Sequence, residues 1–241
     1  MTKKNSAGVL VVLLLCAGFT LLVSCGALDQ VANTSVKSFE AMLAVLPEKA
    51  QQTNGQQQTG TGAGFTQWTL SAPDRTAAFT WNDDVNSPQG ITVQLVFSSV
   101  PFINAGLNAG RLNLPGAVIK DGVLSITANF APDGKTGAVS APGTALGAYE
   151  VITKAARKRI GYHAALDHFG VDLGGGNMFE WAKDLSTNDK DIVFVLNPEP
   201  FIAAGVDPAR VEGWAFAKVT VMDERNRKVE VDKLLKPFDL R

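Results

Sequence analysis

The chain reads as an α+β fold in which a β-β-short α-β-β unit occurs twice. Each copy is preceded by a longer helix, with the strands in antiparallel sheet or sheets and the helices packed on one face. Three observations predict this. A pair of segments recurs about 100 residues apart. Apolar residues alternate with polar ones in several short runs, which marks half-buried strands. Two further stretches carry apolar residues at intervals of three and four, the period of a helix.

The recurrence is specific. Phe79-Thr80-Trp81-Asn82-Asp83-Asp84 answers to Phe179-Glu180-Trp181-Ala182-Lys183-Asp184 at an offset of 100. After a loop, Pro101-Phe102-Ile103-Asn104-Ala105-Gly106 answers to Pro200-Phe201-Ile202-Ala203-Ala204-Gly205 at an offset of 99, with five of six residues identical. Arg111 and Arg210 keep the shorter offset. Paired copies of one unit are expected to pack about a pseudo-twofold axis, as symmetric dimers do.

The elements follow in order. Leu28, Val31, Ser35, Phe39, Met42 and Leu46 predict a first helix that Pro47 closes, within a segment 25–50. Residues 51–64, rich in Gln, Gly and Thr, read as a flexible linker. The first repeat spans 65–135 and opens with an extra strand, Phe65 to Leu70, turned by Pro73-Asp74. Val93, Leu95 and Phe97 predict one buried strand face, and Ile192, Phe194 and Leu196 its counterpart. Pro101 and Pro200 end those strands, because proline cannot donate to a ladder, and suit the first turn of a short helix. That turn is expected to drop Phe and Ile into the core, with Gly106 and Gly205 at its left-handed end. Asp121-Gly122 predicts a two-residue hairpin between Ala117–Lys120 and Val123–Ile126. The second copy has Trp214–Met222 and Lys228–Val231 around a charged turn.

Residues 131–143 form the seam, and 136–241 hold the second helix and second repeat. Tyr149, Ile152, Ala156, Ile160, His163 and Leu166 predict a helix from about Leu146 to Phe169, with Thr144 as N-cap and Gly170 as C-cap.

Several familiar chemistries find no support. The chain carries 22 basic and 23 acidic residues, so charge gives no case for nucleic acid. Gly60-Thr61-Gly62-Ala63-Gly64 follows no strand and opens no clear helix, and Gly134-Lys135-Thr136 lacks the earlier glycine of a phosphate loop. Gly174-Gly175-Gly176-Asn177 reads as a turn. The two histidines, His163 and His168, are too few for a zinc site without cysteine, and a structural role is expected. His163 would share a helix face with Asp167, and His168 would point elsewhere. Asp83-Asp84 reads as a capping or loop pair before a cation site. No catalytic residue, metal or cofactor is assigned, and no enzymatic activity is expected.

The start of the chain carries the firmest motif. Lys3 and Lys4 precede an apolar run from Ala7 to Val23, about 17 residues and at the short edge of a membrane span. Leu22-Val23-Ser24-Cys25 then closes it, before Gly26. A charged start, a short apolar core and a small-residue cleavage site make 1–24 a secretory signal. The closing motif resembles the lipobox of bacterial lipoprotein precursors. The resemblance implies cleavage before Cys25 and acylation of its sulfur, palmitate being one such chain. It also implies a membrane as partner and an envelope location, with Gly26 favouring the outer membrane over inner-membrane retention. A weaker, general likeness extends to outer-membrane-associated lipoproteins such as those of spirochaetes. Cleavage would remove Lys3 and Lys4 and no acid, leaving 20 basic residues against 23 acidic ones. It would also remove Cys16, so no internal disulfide can form and the core must carry stability.

Within this frame the expected work is binding. Phe79, Trp81, Phe102, Phe179, Trp181 and Phe201 are the residues expected to line a site for a lipid or other hydrophobic ligand between helices and sheet; core packing is the alternative reading. Lys154, Arg157, Lys158 and Arg159 form a basic cluster, either a solvated face or a contact with anionic headgroups. A second functional reading is a structural lipoprotein that docks an envelope protein partner without a pocket.

Overall fold

The computed structural model describes residues 25–45, 67–82, 90–131, 138–163, 166–185, 190–222 and 227–239. The linker 51–64, Asp83-Asp84, Gly134-Lys135-Thr136, Leu46 and Pro47 lie outside them. Among the described residues the fold is mixed α+β, with four α-helices and two antiparallel sheets of five and six strands.

Helix α1 is Cys25–Val45. Strands β1 (Gln67–Ser71), β2 (Ala77–Asn82) and β3 (Ile91–Ser98) follow, then the one-turn helix α2 (Val100–Asn104) and strands β4 (Ala117–Lys120) and β5 (Val123–Phe130). They form a sheet ordered β1-β2-β3-β5-β4. Helix α3 is Ala145–Ala155, and β6 (Ile160–His163), β7 (His168–Gly174), β8 (Asn177–Ala182) and β9 (Ile192–Leu196) come next. The short helix α4 (Glu199–Ala203) leads to β10 (Ala215–Met222) and β11 (Lys228–Phe238). This sheet is ordered β10-β11-β9-β8-β7-β6.

The two sheets bury one common core. Alternation along β3 puts Ile91, Val93, Leu95 and Phe97 inside and leaves Thr92, Gln94 and Val96 half-exposed. Phe79 of β2 stacks on Phe179 of β8, with centroids 4.2 Å apart. Phe102 of α2 meets Phe201 of α4 at 5.0 Å. Two backbone bonds are reciprocal: Asn108 N–H donates to Ala204 O at 2.9 Å, and Asp207 N–H donates to Ala105 O at 2.8 Å. The two bonds map onto each other at the 99-residue offset, which carries Asn108 to Asp207 and Ala105 to Ala204. Gly106 and Gly205 follow the short helices at φ 109° and 100°, as helix ends of this kind require. They also approach each other closely, since a Cβ on Gly106 would lie 2.5 Å from Gly205 O.

That approach gives a test. Gly106→Ala combines an unfavourable φ with a backbone clash and is expected to lower stability by about 2–4 kcal/mol in urea unfolding. Gly122→Ala is the control. It has φ 78° but nothing within 4 Å of the added Cβ, so only the conformational cost of about 1 kcal/mol remains.

Four expectations need correction. The second long helix stops at Ala155 and does not reach Phe169. Thr144 does cap it, accepting from Gly147 N–H at 3.1 Å, but Gly170 is a strand residue and no C-cap. Ile160–His163 and His168–Gly174 instead pair as the antiparallel strands β6 and β7, in which Gly161 faces Gly170 and Tyr162 faces Phe169. A helix there would carry Gly161 in its interior, at a cost of roughly 0.5–1 kcal/mol, whereas the strand pair gains a cross-strand aromatic contact. The extra strand of the first unit is no distinction, because β7 borders β8 as β1 borders β2 and β6 adds one more edge.

His163 and His168 are the remaining displaced pair: they are directly cross-strand, not on diverging helix faces. Finally, of the Phe and Ile of the two short turns, only Phe enters the core. Phe102 and Phe201 are fully buried, while Ile103 and Ile202 are 49% and 45% exposed. Adjacent residues on a single helical turn point about 100° apart, so both cannot face inward.

Candidate functional site

The six aromatic residues singled out from the sequence come together, as one packed cluster. Phe79, Trp81, Phe102, Phe179, Trp181 and Phe201 are all buried. Phe39 of α1 stacks on Tyr149 of α3 at 4.0 Å and meets Trp81 and Trp181 edge-on at 5.4 and 5.3 Å. The two indoles also fasten the long helices. Trp81 Nε1–H donates to Ala145 O at 3.0 Å, and Trp181 Nε1–H donates to Ser38 Oγ at 3.2 Å. Buried indole N–H groups need such partners, which explains the buried Ser38. Tyr149 hydroxyl donates to Ser35 Oγ at 3.1 Å, and burial pushes its pKa up. In this arrangement the rings fill one another's contact surfaces.

The basic cluster is largely engaged. Lys154 pairs with Glu150 at 2.7 Å, Arg157 with Asp29 at 2.6 Å and Arg159 with Asp172 at 3.4 Å. Lys158 is exposed. The Arg157–Asp29 pair sets the cluster beside the first turns of α1, the helix that contains Cys25. Among the described residues no helix is long and apolar enough to cross a membrane.

A second site has no counterpart in the sequence expectations. A cleft of about 440 Å³ opens on the six-stranded sheet, on the side of Glu180. Strand alternation explains its placement. Phe179 and Trp181 point into the core, so Glu180 between them points the other way. Yet Glu180 is only 1% exposed, because its neighbours cover it. His163 Nδ1 lies 3.2 Å from Oε1, and His168 Nδ1 lies 3.9 Å from Oε2. Both histidines are buried.

Burial alone would push the Glu180 carboxyl up; the facing His163 charge outweighs it and holds the group well below the usual carboxylate range. Burial likewise pulls His163 down, and the Glu180 carboxylate more than offsets this, so its pKa ends raised. Lys233 of β11 lines the same cleft and donates to Gly176 O at 3.0 Å. Burial lowers its pKa, against the opposing charges of Glu180, Asp172 and Glu199.

Chemically, His163 and Glu180 form an acid–base couple at a cleft floor. Among the described lining residues there is no serine, threonine or cysteine to act as nucleophile. Among the described residues no group of three or more His, Cys, Asp or Glu side chains is placed to hold a metal ion. In sequence the two histidines fall on a helix-like period that separates them, and the pairing of β6 with β7 brings them together. Glu180 is the one charged residue of β8, at the position where the matching segment in β2 has Thr80. No protein-family model matches the chain, and comparison with curated proteins and with solved structures returned no match.

Proposed function

We propose that this is a lipid-anchored envelope protein, acylated on Cys25, whose domain binds a ligand and catalyses no reaction. The observation that carries the reading is the continuity of helix α1. It contains Cys25 and runs from there without a break to Val45, with Phe39 and Met42 fully buried in the domain core. An acyl group on Cys25 would therefore be joined to the fold by a helix and not by a loose tether. Asp29, one turn along, is held by Arg157, so the anchor end lies beside Lys158 and Arg159. Exposed Lys158 then suits a contact with anionic headgroups, worth about 1 kcal/mol per basic residue near the surface.

The repeated unit is part of the proposal. We read the matching strand orders and the reciprocal Asn108–Ala204 and Asp207–Ala105 bonds as the mark of a duplicated β-β-short α-β-β unit. A hydrophobic ligand beside the two tryptophans would have to displace Phe39 of α1, which packs edge-on against both rings. Docking of an envelope protein partner is the second reading. Exposed Val100 and Ile103 on α2 favour it, as apolar side chains on a short helix away from the core.

The anchor has a direct test. In bacterial cells fed labelled palmitate, the wild-type chain is expected to incorporate label and to sediment with membranes. Cys25→Ala is expected to lose both properties while keeping the fold. Label retained by Cys25→Ala would sink the proposal. Two or three acyl chains hold a protein far more firmly than one, at about 0.8 kcal/mol per buried CH₂, so release of the variant should be complete.

A further inference from the structure

The cleft over Glu180 differs from the same face of the other sheet. Thr80 holds the position in β2 that Glu180 holds in β8, between Phe79 and Trp81. There the polar side chains satisfy one another. Gln67 Nε2–H donates to Thr80 Oγ1 at 2.9 Å, Thr80 hydroxyl to Gln94 Oε1 at 3.2 Å, and Gln94 Nε2–H to Thr127 Oγ1 at 2.9 Å. The five-stranded sheet thus closes its outer face with a neutral ladder.

The six-stranded sheet does not. Glu180 replaces the threonine, and Val193 stands opposite it where Gln94 faces Thr80. Glu180 Oε2 is buried and accepts no close hydrogen bond among the described residues, its facing group being His168 Nδ1 at 3.9 Å. A buried carboxylate oxygen left open is costly, and such groups in native structures call for an explanation. Three more carboxylates line the cleft: Glu199 at the start of α4, and Glu230 and Asp232 on β11. Lys218 engages Asp232 at 3.1 Å and Lys233 is drawn to the Gly176 carbonyl. The four carboxylates outnumber the two lysines beside them, and Glu199 and Glu230 are exposed at the rim. The rest of the wall is apolar, from Met178, Val195, Ile202 and Val219 among others.

We infer that this cleft binds a small organic cation, an ammonium or guanidinium group carried on an apolar body. The cationic group approaches Glu180 and the rim carboxylates, and the body lies against Ile202 and its apolar neighbours. A volume of about 440 Å³ falls within the range of small-molecule sites. Half-exposed Ile202 then has a role that its partner Ile103, away from any acidic floor, does not share. This gives a ligand class to the binding reading above, but it stands apart from the acyl anchor; palmitate labelling judges one and ligand titration the other.

The experiment is a calorimetric titration of the full-length chain with hexylamine, phenethylamine and agmatine. Hexanoate and 3-phenylpropionate, which keep the apolar bodies and reverse the charge, are the controls. Saturable binding of at least one amine or guanidine with no heat from the carboxylates is expected. The exposed double variant Glu199→Gln/Glu230→Gln, with unchanged melting temperature, is expected to bind about tenfold more weakly. Ile202→Ser is expected to weaken phenethylamine more than agmatine. The inference is overturned if amines and carboxylates bind alike, if the double variant binds as the wild type does, or if none of the three cations binds saturably. Because the rim residues are exposed, loss of binding in their variants cannot be ascribed to unfolding of the Glu180 floor.

Discussion

Phe39→Ala is expected to be among the most destabilising single substitutions in the chain, at about 3–5 kcal/mol. Phe39 is fully buried, and its ring touches three others from two sheets and a helix. The substitution removes the apolar area of the ring and leaves a cavity that rigid indoles cannot collapse into. Trp81 and Trp181 are each tied by their N–H groups, so neither is free to swing inward. Aromatic pairs add about 0.5–1.5 kcal/mol each beyond burial, and three pairs are lost together. Urea unfolding followed by tryptophan fluorescence measures the loss. Lys37→Ala, exposed on the same helix, is the control and should stay within about 0.5 kcal/mol of wild type. A loss below about 1.5 kcal/mol for Phe39→Ala would mean that α1 is not a core element. The same variant bears on function. If the acyl group sits at Cys25, loosening α1 separates the domain from its membrane, and limited proteolysis should then cut within 25–45.

How much of this could be read beforehand divides along a physical line. Features fixed by local chemistry were legible. Asp121 and Gly122 have φ 51° and 78°, as a two-residue hairpin demands, and Thr144 caps α3 as its side chain allows. Period-two alternation placed the buried faces of β3 and β9 correctly. Features decided by tertiary contact were not. From Ile160 to Leu166 apolar spacing suits a helix, and only pairing with β7, itself held by β8, makes Ile160–His163 a strand. The same misreading hid the His163–Glu180–His168 cluster. The six aromatics were found because they share one sheet face, yet the spacing of residues cannot say whether facing rings leave a gap or meet. They meet because Phe39 arrives from a helix 40 residues and more away in sequence, with the reciprocal short-helix contacts closing the other end.

Glu180→Gln is expected to cost about 3–5 kcal/mol near pH 6 and clearly less above pH 8, and the pH dependence is the diagnostic part. In the wild type, Glu180 has a depressed folded pKa. Its contribution is present above the unfolded carboxyl value of about 4.3 and is lost as pH falls through the folded value. His163 has a raised folded pKa. Its contribution is complete below the unfolded imidazole value of about 6.5 and is lost as pH rises through the folded one. The pair therefore contributes most between about pH 4.5 and 6.5, and wild-type stability should decline as pH rises beyond that window. In Glu180→Gln the imidazolium of His163 has lost its counter-charge in a buried place. At low pH folding must then expel a proton or bury a lone charge, and both are unfavourable. At high pH the imidazole is neutral and Gln is a tolerable neighbour. The variant should thus gain stability with rising pH where the wild type loses it, a reversal of slope that chemical denaturation at pH 5.5, 7 and 8.5 can read. Parallel slopes for the two proteins would show that His163 is neutral in the folded state throughout, and would remove the charged pair from the floor of the cleft.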